Sequence, residues 1–369
     1  MPVPTIAEVL GGLDAAIDPS RAAGWDAGGL QVGDAEAPVR RLGVCHEVTD
    51  KVVAAAEADP PDLLVVYHPL IFRALTGVRA GPGSEGRVFR LLRAGVAVAV
   101  VHTAFDAAPG GAADALAAAV GLTDSVPFGP IHPAGQVKVV TFVPAEVVEE
   151  VAATMAAAGA GRIGAYTGCS FRSEGTGAFE APAGASPVTG SAGAVNREPE
   201  VRLEMIAPAG REGAVVAALV RAHPYEEPAF DVYEVRSNLG FGGRVGSLAS
   251  PTSLSRFGAQ VGSVLGDTGL RVSGAEDREI VRVAVIPGSG SSMLADAAAT
   301  GADVFVTGDV AHHRAIEALD RGIALVDPGH AATERPGLAR LRELAGMLGP
   351  EVVDLVHHDP TPWWRPVAR

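Results

Sequence analysis

Three short segments place imidazoles and carboxylates at spacings suited to a metal centre. His68 closes the run Leu63–Tyr67 and precedes Pro69; His102 closes Val96–Val101, with Asp106 four residues further on. Asp327-Pro328-Gly329-His330 closes Ala324–Val326, and Glu334 stands four residues beyond His330. Imidazole nitrogen and carboxylate oxygen together suit Zn, Fe, Mn or Co, and the order of intrinsic affinities does not choose among these ions. Residues i and i+4 share a helix face, so His330 and Glu334 can point at one ion if a helix starts there. Each set also has an ordinary reading: His68 in solvent at a strand end, Asp106 as a helix cap, His330 and Glu334 as a surface pair of little energetic weight. Three such sets at three strand ends outweigh any one of them, because ligands of parallel α/β sheets gather outside the carboxyl ends of strands.

Other conspicuous residues read as structural. His312-His313 falls inside a helical pattern, where consecutive side chains splay by about 100°. His357-His358 stands beside Pro360, Pro362, Trp363 and Trp364. Neither pair is expected to ligate. His223-Pro224-Tyr225-Glu226-Glu227-Pro228 gathers polar groups, but its two prolines fix the backbone, and it is read as structure, with Glu226 and Glu227 open to a ring cavity if one exists. Gly175-Thr176-Gly177 and Gly288-Ser289-Gly290 are candidate phosphate cradles through backbone N–H groups. Neither matches a P-loop or a GxGxxG fingerprint; the second is the stronger, because it joins an expected strand to an expected helix.

The elements that must hold these residues follow from pattern. Leu63–Tyr67 and Val96–Val101 are apolar on both faces, as strands of a parallel sheet are. Gly86–Ala94 between them and Ala112–Val120 after them have helical spacing. The same grammar returns as strand Val281–Ile286, helix Ser292–Thr300, strand Val304–Thr307, helix Ala311–Leu319 and strand Ala324–Val326. Such alternation predicts an α/β layered domain. In the middle, strands Val137–Phe142, Val201–Ile206 and Phe230–Val235 with helices Ala145–Ala158 and Arg211–Ala222 give a βαββαβ-like order. Ala181–Arg197 reads as a surface loop. The chain is therefore expected to be one discontinuous α/β layered domain, residues 1–130 and 246–369, with an α+β insert at 131–245. The joins are expected near Pro130–Gly135 and Leu239–Pro251.

Composition excludes several classes. With Lys+Arg 29 against Asp+Glu 43, the net charge is −14 and the pI about 5.2, so phosphate backbones and anionic membranes are poor partners. Apolar residues at 48% exclude disorder throughout. Cys45 and Cys169 are too few for a disulfide framework. The first dozen residues lack a basic stretch followed by an apolar one, and no run reaches the ~18 apolar residues of a membrane span. A soluble, cytoplasmic protein is expected.

Taken in order, several segments resemble the GTP cyclohydrolase I type 2 homologues. They are Trp25-Asp26-Ala27-Gly28-Gly29-Leu30-Gln31-Val32-Gly33, His68-Pro69-Leu70-Ile71-Phe72, His102 through Gly111, Thr307-Gly308-Asp309 and Asp327 through Glu334. Cys169-Ser170-Phe171 with Gly175–Gly177, and His223–Pro228, add to them from the middle of the chain. The resemblance implies a toroidal homo-hexamer, a ferredoxin-like insert and two divalent ions per subunit. It places the ligands on His68, Asp106, His330 and Glu334; on chemical grounds Asp106 and Glu334 are then expected to be shared between ions, with His102 as an orienting or proton-carrying neighbour. The implied activity is hydrolysis of a nucleotide or phosphorylated small molecule by a di-metal-activated water, with His102, Asp106 and Glu334 catalytic. The alternative is a non-enzymatic metal-binding or metal-trafficking scaffold. Two departures stand out. Where that family has two adjacent histidines before Pro69, this chain has Tyr67 and His68; a phenolate ligand is costly at an ordinary pKa near 10. Where the family has an aspartate before Thr49, this chain has Glu47, preceded by His46. Strand Leu42–Cys45 is expected beside Leu63–Tyr67, so either His46 or Glu47 replaces the missing ligand, or both merely line the wall.

Overall fold

A computed structural model describes residues 3–131, 135–163, 166–185, 187–235, 240–266 and 269–358; Pro360, Pro362, Trp363 and Trp364 lie outside them. In chain order the first part carries α1 (Ile6–Ile17), β1 (Gly29–Val32), β2 (Arg41–Cys45), α2 (Asp50–Ala58), β3 (Leu63–Val66), α3 (Gly83–Ala94), β4 (Ala97–Val100), α4 (His102–Ala107), α5 (Ala112–Ala119) and β5 (Leu122–Ile131). The middle carries β6 (Gln136–Val143), α6 (Val148–Ala157), β7 (Ser170–Glu180), β8 (Val195–Pro208), α7 (Glu212–Ala222) and β9 (Phe230–Val235). The last part carries β10 (Gly240–Ser253), α8 (Leu254–Leu265), β11 (Arg271–Ser273), β12 (Glu279–Val285), α9 (Leu294–Ala299), β13 (Val304–Val306), α10 (His312–Asp320), β14 (Ala324–Asp327), α11 (His330–Gly346) and β15 (Glu351–Asp354). The chain separates into two compact units, Met1–Pro133 with Leu239–Arg369, and Ala134–Asn238.

The first unit holds two sheets rather than one. Its first sheet has the order β1-β4-β3-β2-β15, with β15, β2, β3 and β4 parallel and β1 antiparallel at the edge. Strands β2 to β4 are buried almost throughout, which is why they read as continuous apolar runs. The second sheet has the order β11-β14-β13-β12-β10-β5, and only β12, β13 and β14 run parallel. Within the expected join at Leu239–Pro251, the residues from Gly240 onward belong to β10, a long strand paired with both β12 and β5, so residues 240–245 lie in this sheet. Its glycines read as punctuation in the sequence, yet they serve close packing: a Cβ on Gly243 would come within 2.5 Å of the Phe128 ring, and one on Gly246 within 2.6 Å of the Thr123 carbonyl. Pro130, expected at the other join, lies within β5.

The second unit has one antiparallel sheet in the order β7-β8-β6-β9, with α6 and α7 completing the βαββαβ succession. Val139, Val151, Met155, Leu203, Met205, Val215 and Leu219 form its core. The β7 strand gave no apolar alternation in the sequence because it is an edge strand whose side chains are almost all exposed. Gly175–Gly177 are residues of that strand, paired with Glu200, Pro199 and Glu198, and so form no loop. The cavity of about 840 Å³ beside them is lined by Glu174, Glu200, Glu226 and Glu227 against one cation, Arg202, itself paired with Glu204 at 2.7 Å, a balance that repels phosphate.

His223 has the structural role expected of it. Its buried ring donates from Nε2 to the Phe142 carbonyl at 2.9 Å and accepts at Nδ1 from the Tyr225 N–H at 3.1 Å. Burial lowers its pKa. Since the unfolded chain binds a proton near pH 6.5 that the folded imidazole resists, the stability lent by His223 is present above that pH and is lost as pH falls towards the folded value. His223→Ala leaves both partners unsatisfied and is expected to cost about 1–3 kcal/mol, read as a lower urea midpoint whose deficit shrinks below pH 6; an unchanged midpoint refutes the assignment.

Candidate metal centre

Register in the first sheet brings three histidines to one edge. Cys45 pairs with Val66 and Val66 with Val100, and the ladder runs on past the strands. The His68 N–H donates to the His46 carbonyl at 3.0 Å, and the His102 N–H to the Tyr67 carbonyl at 3.0 Å. His46, His68 and His102 therefore leave the carboxyl ends of β2, β3 and β4 side by side. The fourth histidine comes from the second sheet, where β14 runs through Pro328 and Gly329 into α11 at His330. One helical turn on, Glu334 lies on the same face and is only 3% exposed.

Glu334 is the focus. Its Oε2 meets His46 Nε2 at 2.7 Å and His68 Nε2 at 3.0 Å, and its Oε1 meets His330 Nε2 at 3.1 Å. Ligand atoms of His46, His68 and Glu334 all lie within 4.8 Å of one another, the one such group of three or more among the described residues. Burial alone would raise the Glu334 carboxyl, but the hydrogen bonds from His330, His46 and His68 hold it well below the usual range. Burial alone would likewise lower His330, yet Glu334 on Nε2 and Asp309 on Nδ1 at 2.8 Å raise it to about 9.

Tyr67 and Asp106 form an adjoining pair. Tyr67 is fully buried and its hydroxyl donates to Asp106 Oδ1. Burial, and then the Asp106 and Glu334 charges, push the phenol well above 10, so it keeps its proton. Asp106 sits within α4 and does not cap α5, the helix that follows, whose N-cap is Gly111; burial first and the Glu334 charge second push its carboxyl up to about 7. Tyr67 is thus a hydrogen-bond donor here, not a phenolate. Glu47 is half-buried outside the three-residue group, and its carbonyl accepts from Thr49 N–H at 3.1 Å just before the Thr49 side chain caps α2.

His102 is turned by Asp26, a residue to which sequence reasoning gave no role. The Asp26 carboxylate takes His102 Nδ1 at 2.7 Å, the Thr103 N–H at 3.0 Å and the Thr103 hydroxyl. Burial would raise Asp26, but the His102 and Thr103 hydrogen bonds lower it; burial would lower His102, but Asp26 raises it. The His102 and His68 ring centroids are 5.2 Å apart. Asp309, at a left-handed φ of 56°, does for His330 what Asp26 does for His102. The available signal for both was their place in the quoted Trp25-Asp26 and Gly308-Asp309 segments. Asp327 is a structural clamp, accepting from the Val310 and Gly329 N–H groups at 3.0 and 2.9 Å and from Arg271.

Gly288–Gly290 packs against the cluster and is not a phosphate cradle. The Gly288 N–H is taken by Thr333 Oγ1 at 2.8 Å and the Gly290 N–H by Thr307 Oγ1 at 2.8 Å. A Cβ on Gly288 would lie 2.5 Å from Glu334 Oε1 and 3.2 Å from His330 Nε2, and its φ of +64° disfavours any side chain. Gly288→Ala is expected to weaken metal uptake at least about tenfold, the scale on which displaced supporting groups act, as measured by metal content after dialysis; full retention shows the glycine to be incidental. His312-His313 and His357-His358 join no group of three ligands among the described residues.

A mixed α/β fold that brings three imidazoles onto one buried carboxylate defines a class: proteins carrying a His/Glu group able to hold a metal. Within that class the chain belongs to the Duf34/NIF3 (NGG1p interacting factor 3) family, whose sequence profile matches residues 4–355. A Mycobacterium tuberculosis protein named GTP cyclohydrolase 1 type 2 homolog is 41% identical over 345 residues, 92% of this chain and 90% of the relative. A Bacillus subtilis protein of the same name is 37% identical over 322 residues, 86% of each chain. Among solved structures, a Bacillus cereus protein related to NIF3 aligns with a TM-score of 0.63 and 34% identity, covering 98% of this chain and 100% of that one. Staphylococcus aureus protein SA1388 aligns at 0.65 and 26% identity over the whole of both chains. No helix among the described residues is long and apolar enough to cross a membrane.

Proposed function

We propose that this protein is a metal-dependent hydrolase acting on a nucleotide or phosphorylated small molecule. The convergence of His46, His68 and Glu334 within 4.8 Å carries the reading: two imidazoles and one carboxylate leave a further coordination position for water, the pattern of catalytic rather than structural sites. A bound divalent ion would supply an acidified water and charge stabilisation. The residues around it have definite tasks. His46 and His68 hold the ion together with Glu334, and His330, on the other Glu334 oxygen, flanks it. Asp106, pushed up to about 7, is matched to proton exchange near neutrality. Asp26 fixes the His102 ring so that Nε2 is free of the Asp26 bond and available to orient a substrate or pass a proton.

We infer one ion per subunit rather than two. His46 takes up the ligand role that the resemblance assigns to a histidine at position 67, and the Tyr67 phenol occupies the approach to Asp106. The reading extends to a ferredoxin-like insert, residues 134–238, within one discontinuous α/β domain, and to a homo-hexamer. The Tyr67–Asp106 bond also supports a second reading, a metal-handling scaffold without turnover, because it removes the second ion on which paired-metal chemistry depends. The experiment is turnover of nucleotides and phosphoesters by protein loaded with Zn, Mn, Fe or Co. Hydrolysis abolished in Asp106→Ala at unchanged metal content supports the hydrolase. Stoichiometric metal with no turnover of any compound supports the scaffold.

A further inference from the structure

We propose that Trp25 and Phe72 form an aromatic lip on the metal centre that receives the flat, bicyclic heterocycle of a purine-type substrate. The proposal rests on the metal-centre reading above and names the substrate class for that site. Trp25 is 65% exposed and Phe72 56%. Two large apolar rings left in water beside a polar cluster need a reason, since exposed apolar patches mark binding surfaces. The two rings meet edge to face, with centroids 6.1 Å apart at 73°, and Trp25 meets His102 at 5.8 Å. His102 in turn meets His68 at 5.2 Å, so the lip is continuous with the imidazoles of the cluster.

Both rings sit on backbone that is fixed, not loose. Next to Trp25, the Asp26 side chain is 1% exposed and held by His102 and by two groups of Thr103, while the Ala23 N–H donates to Thr103 Oγ1 at 2.9 Å. Next to Phe72, the Gln31 amide makes both bonds to Ile71: Oε1 accepts its N–H at 2.8 Å and Nε2 donates to its carbonyl at 3.0 Å. The edge-to-face geometry rules out a sandwich between the two rings. A planar ligand instead lies on the open indole face with Phe72 as a side wall. Indole matches a bicyclic ring in area, and base–aromatic stacking tolerates any planar base. A purine seated there would lie beside His102, 5.8 Å from the indole, whose ring is in turn 5.2 Å from that of His68.

The test is calorimetric binding of GMP and of ribose 5-phosphate, which lacks the ring, to Mn-loaded protein, with metal content and sedimentation measured on the same samples. GMP is expected to bind at least about tenfold more tightly than ribose 5-phosphate, the scale of one stacked base. Trp25→Ala and Phe72→Ala should erase most of that preference at unchanged metal content, and Trp25→Phe should keep part of it. Undetectable GMP binding, equal binding of the two probes, or a Trp25→Ala protein that keeps the preference overturns the lip. So does a Trp25→Ala protein of altered mass in solution, which assigns the rings to contact between copies. Protein that takes up no metal but keeps the GMP preference sinks the metal reading and leaves the lip standing; metal-loaded protein without the preference does the reverse.

Discussion

Glu334→Gln is expected to abolish metal binding while leaving the fold in place. Glutamine matches glutamate in shape and keeps one carbonyl oxygen, so the buried volume at α11 is unchanged. What disappears is the negative charge on which three imidazoles converge at 2.7 to 3.1 Å. Partners that only orient metal ligands are each worth about 10–100-fold in affinity, so loss of the shared carboxylate should exceed about 100-fold. Metal content after dialysis reads this directly. Linked stability reads it independently: free ion at 100 times the dissociation constant stabilises the wild type by about 2.7 kcal/mol and should stabilise the variant hardly at all. Without metal the sign also follows. Glu334 is held below its ordinary pKa and so adds stability above about pH 4.5; His330 is raised to about 9 and adds stability that is lost as pH rises through that value. Metal-free Glu334→Gln should therefore be less stable than metal-free wild type above about pH 4.5, and the deficit should narrow, without vanishing, as pH rises through 9 and the His330 part is lost while His46 and His68 still bond the carboxylate. A variant that keeps stoichiometric metal would show that Glu334 is not a ligand.

Part of this centre could be read from sequence because parallel strands announce themselves. Leu63–Val66 and Ala97–Val100 are apolar on both faces, so they had to be buried, and each is followed within a residue or two by a histidine. The four-residue spacing of His330 and Glu334 likewise carries its own geometry once α11 begins at His330. Placing His46 needed one long-range fact, that β2 lies beside β3 in this register. Local pattern could suggest the pairing but not the 2.7 Å contact. Asp26 and Asp309 were silent for a related reason. Each acts on a histidine distant in sequence, His102 and His330, and a lone aspartate in a glycine-containing loop looks like turn chemistry. The division of the first unit into two sheets was hidden in the same way. β10 and β5 owe their places to partners across the chain, and their glycines and prolines, read locally, say linker.

Tyr67→His should raise the metal content from about one ion per subunit to about two, by restoring the two adjacent histidines that the family resemblance implies before Pro69. In the wild type the phenol lies against His46, His68 and Phe105, with ring centroids 5.4, 5.1 and 6.0 Å away, and its hydroxyl is spent on Asp106. A cation approaching Asp106 must displace that proton, and burial beside two carboxylates makes the proton unusually hard to remove. Imidazole is shorter than phenol and offers a lone pair instead of an O–H. It leaves room for an ion between itself and Asp106, whose carboxyl, now near 7, would be driven to its ionised form by the charge. Tyr67→Phe separates the two effects. It keeps the bulk and offers no ligand, so stoichiometry should stay at one, while Asp106 loses a hydrogen bond that lowers its pKa and should titrate higher still. Native mass spectrometry with elemental analysis counts the ions. Two ions in the wild type, or one in Tyr67→His, would show that residue 67 does not set the nuclearity.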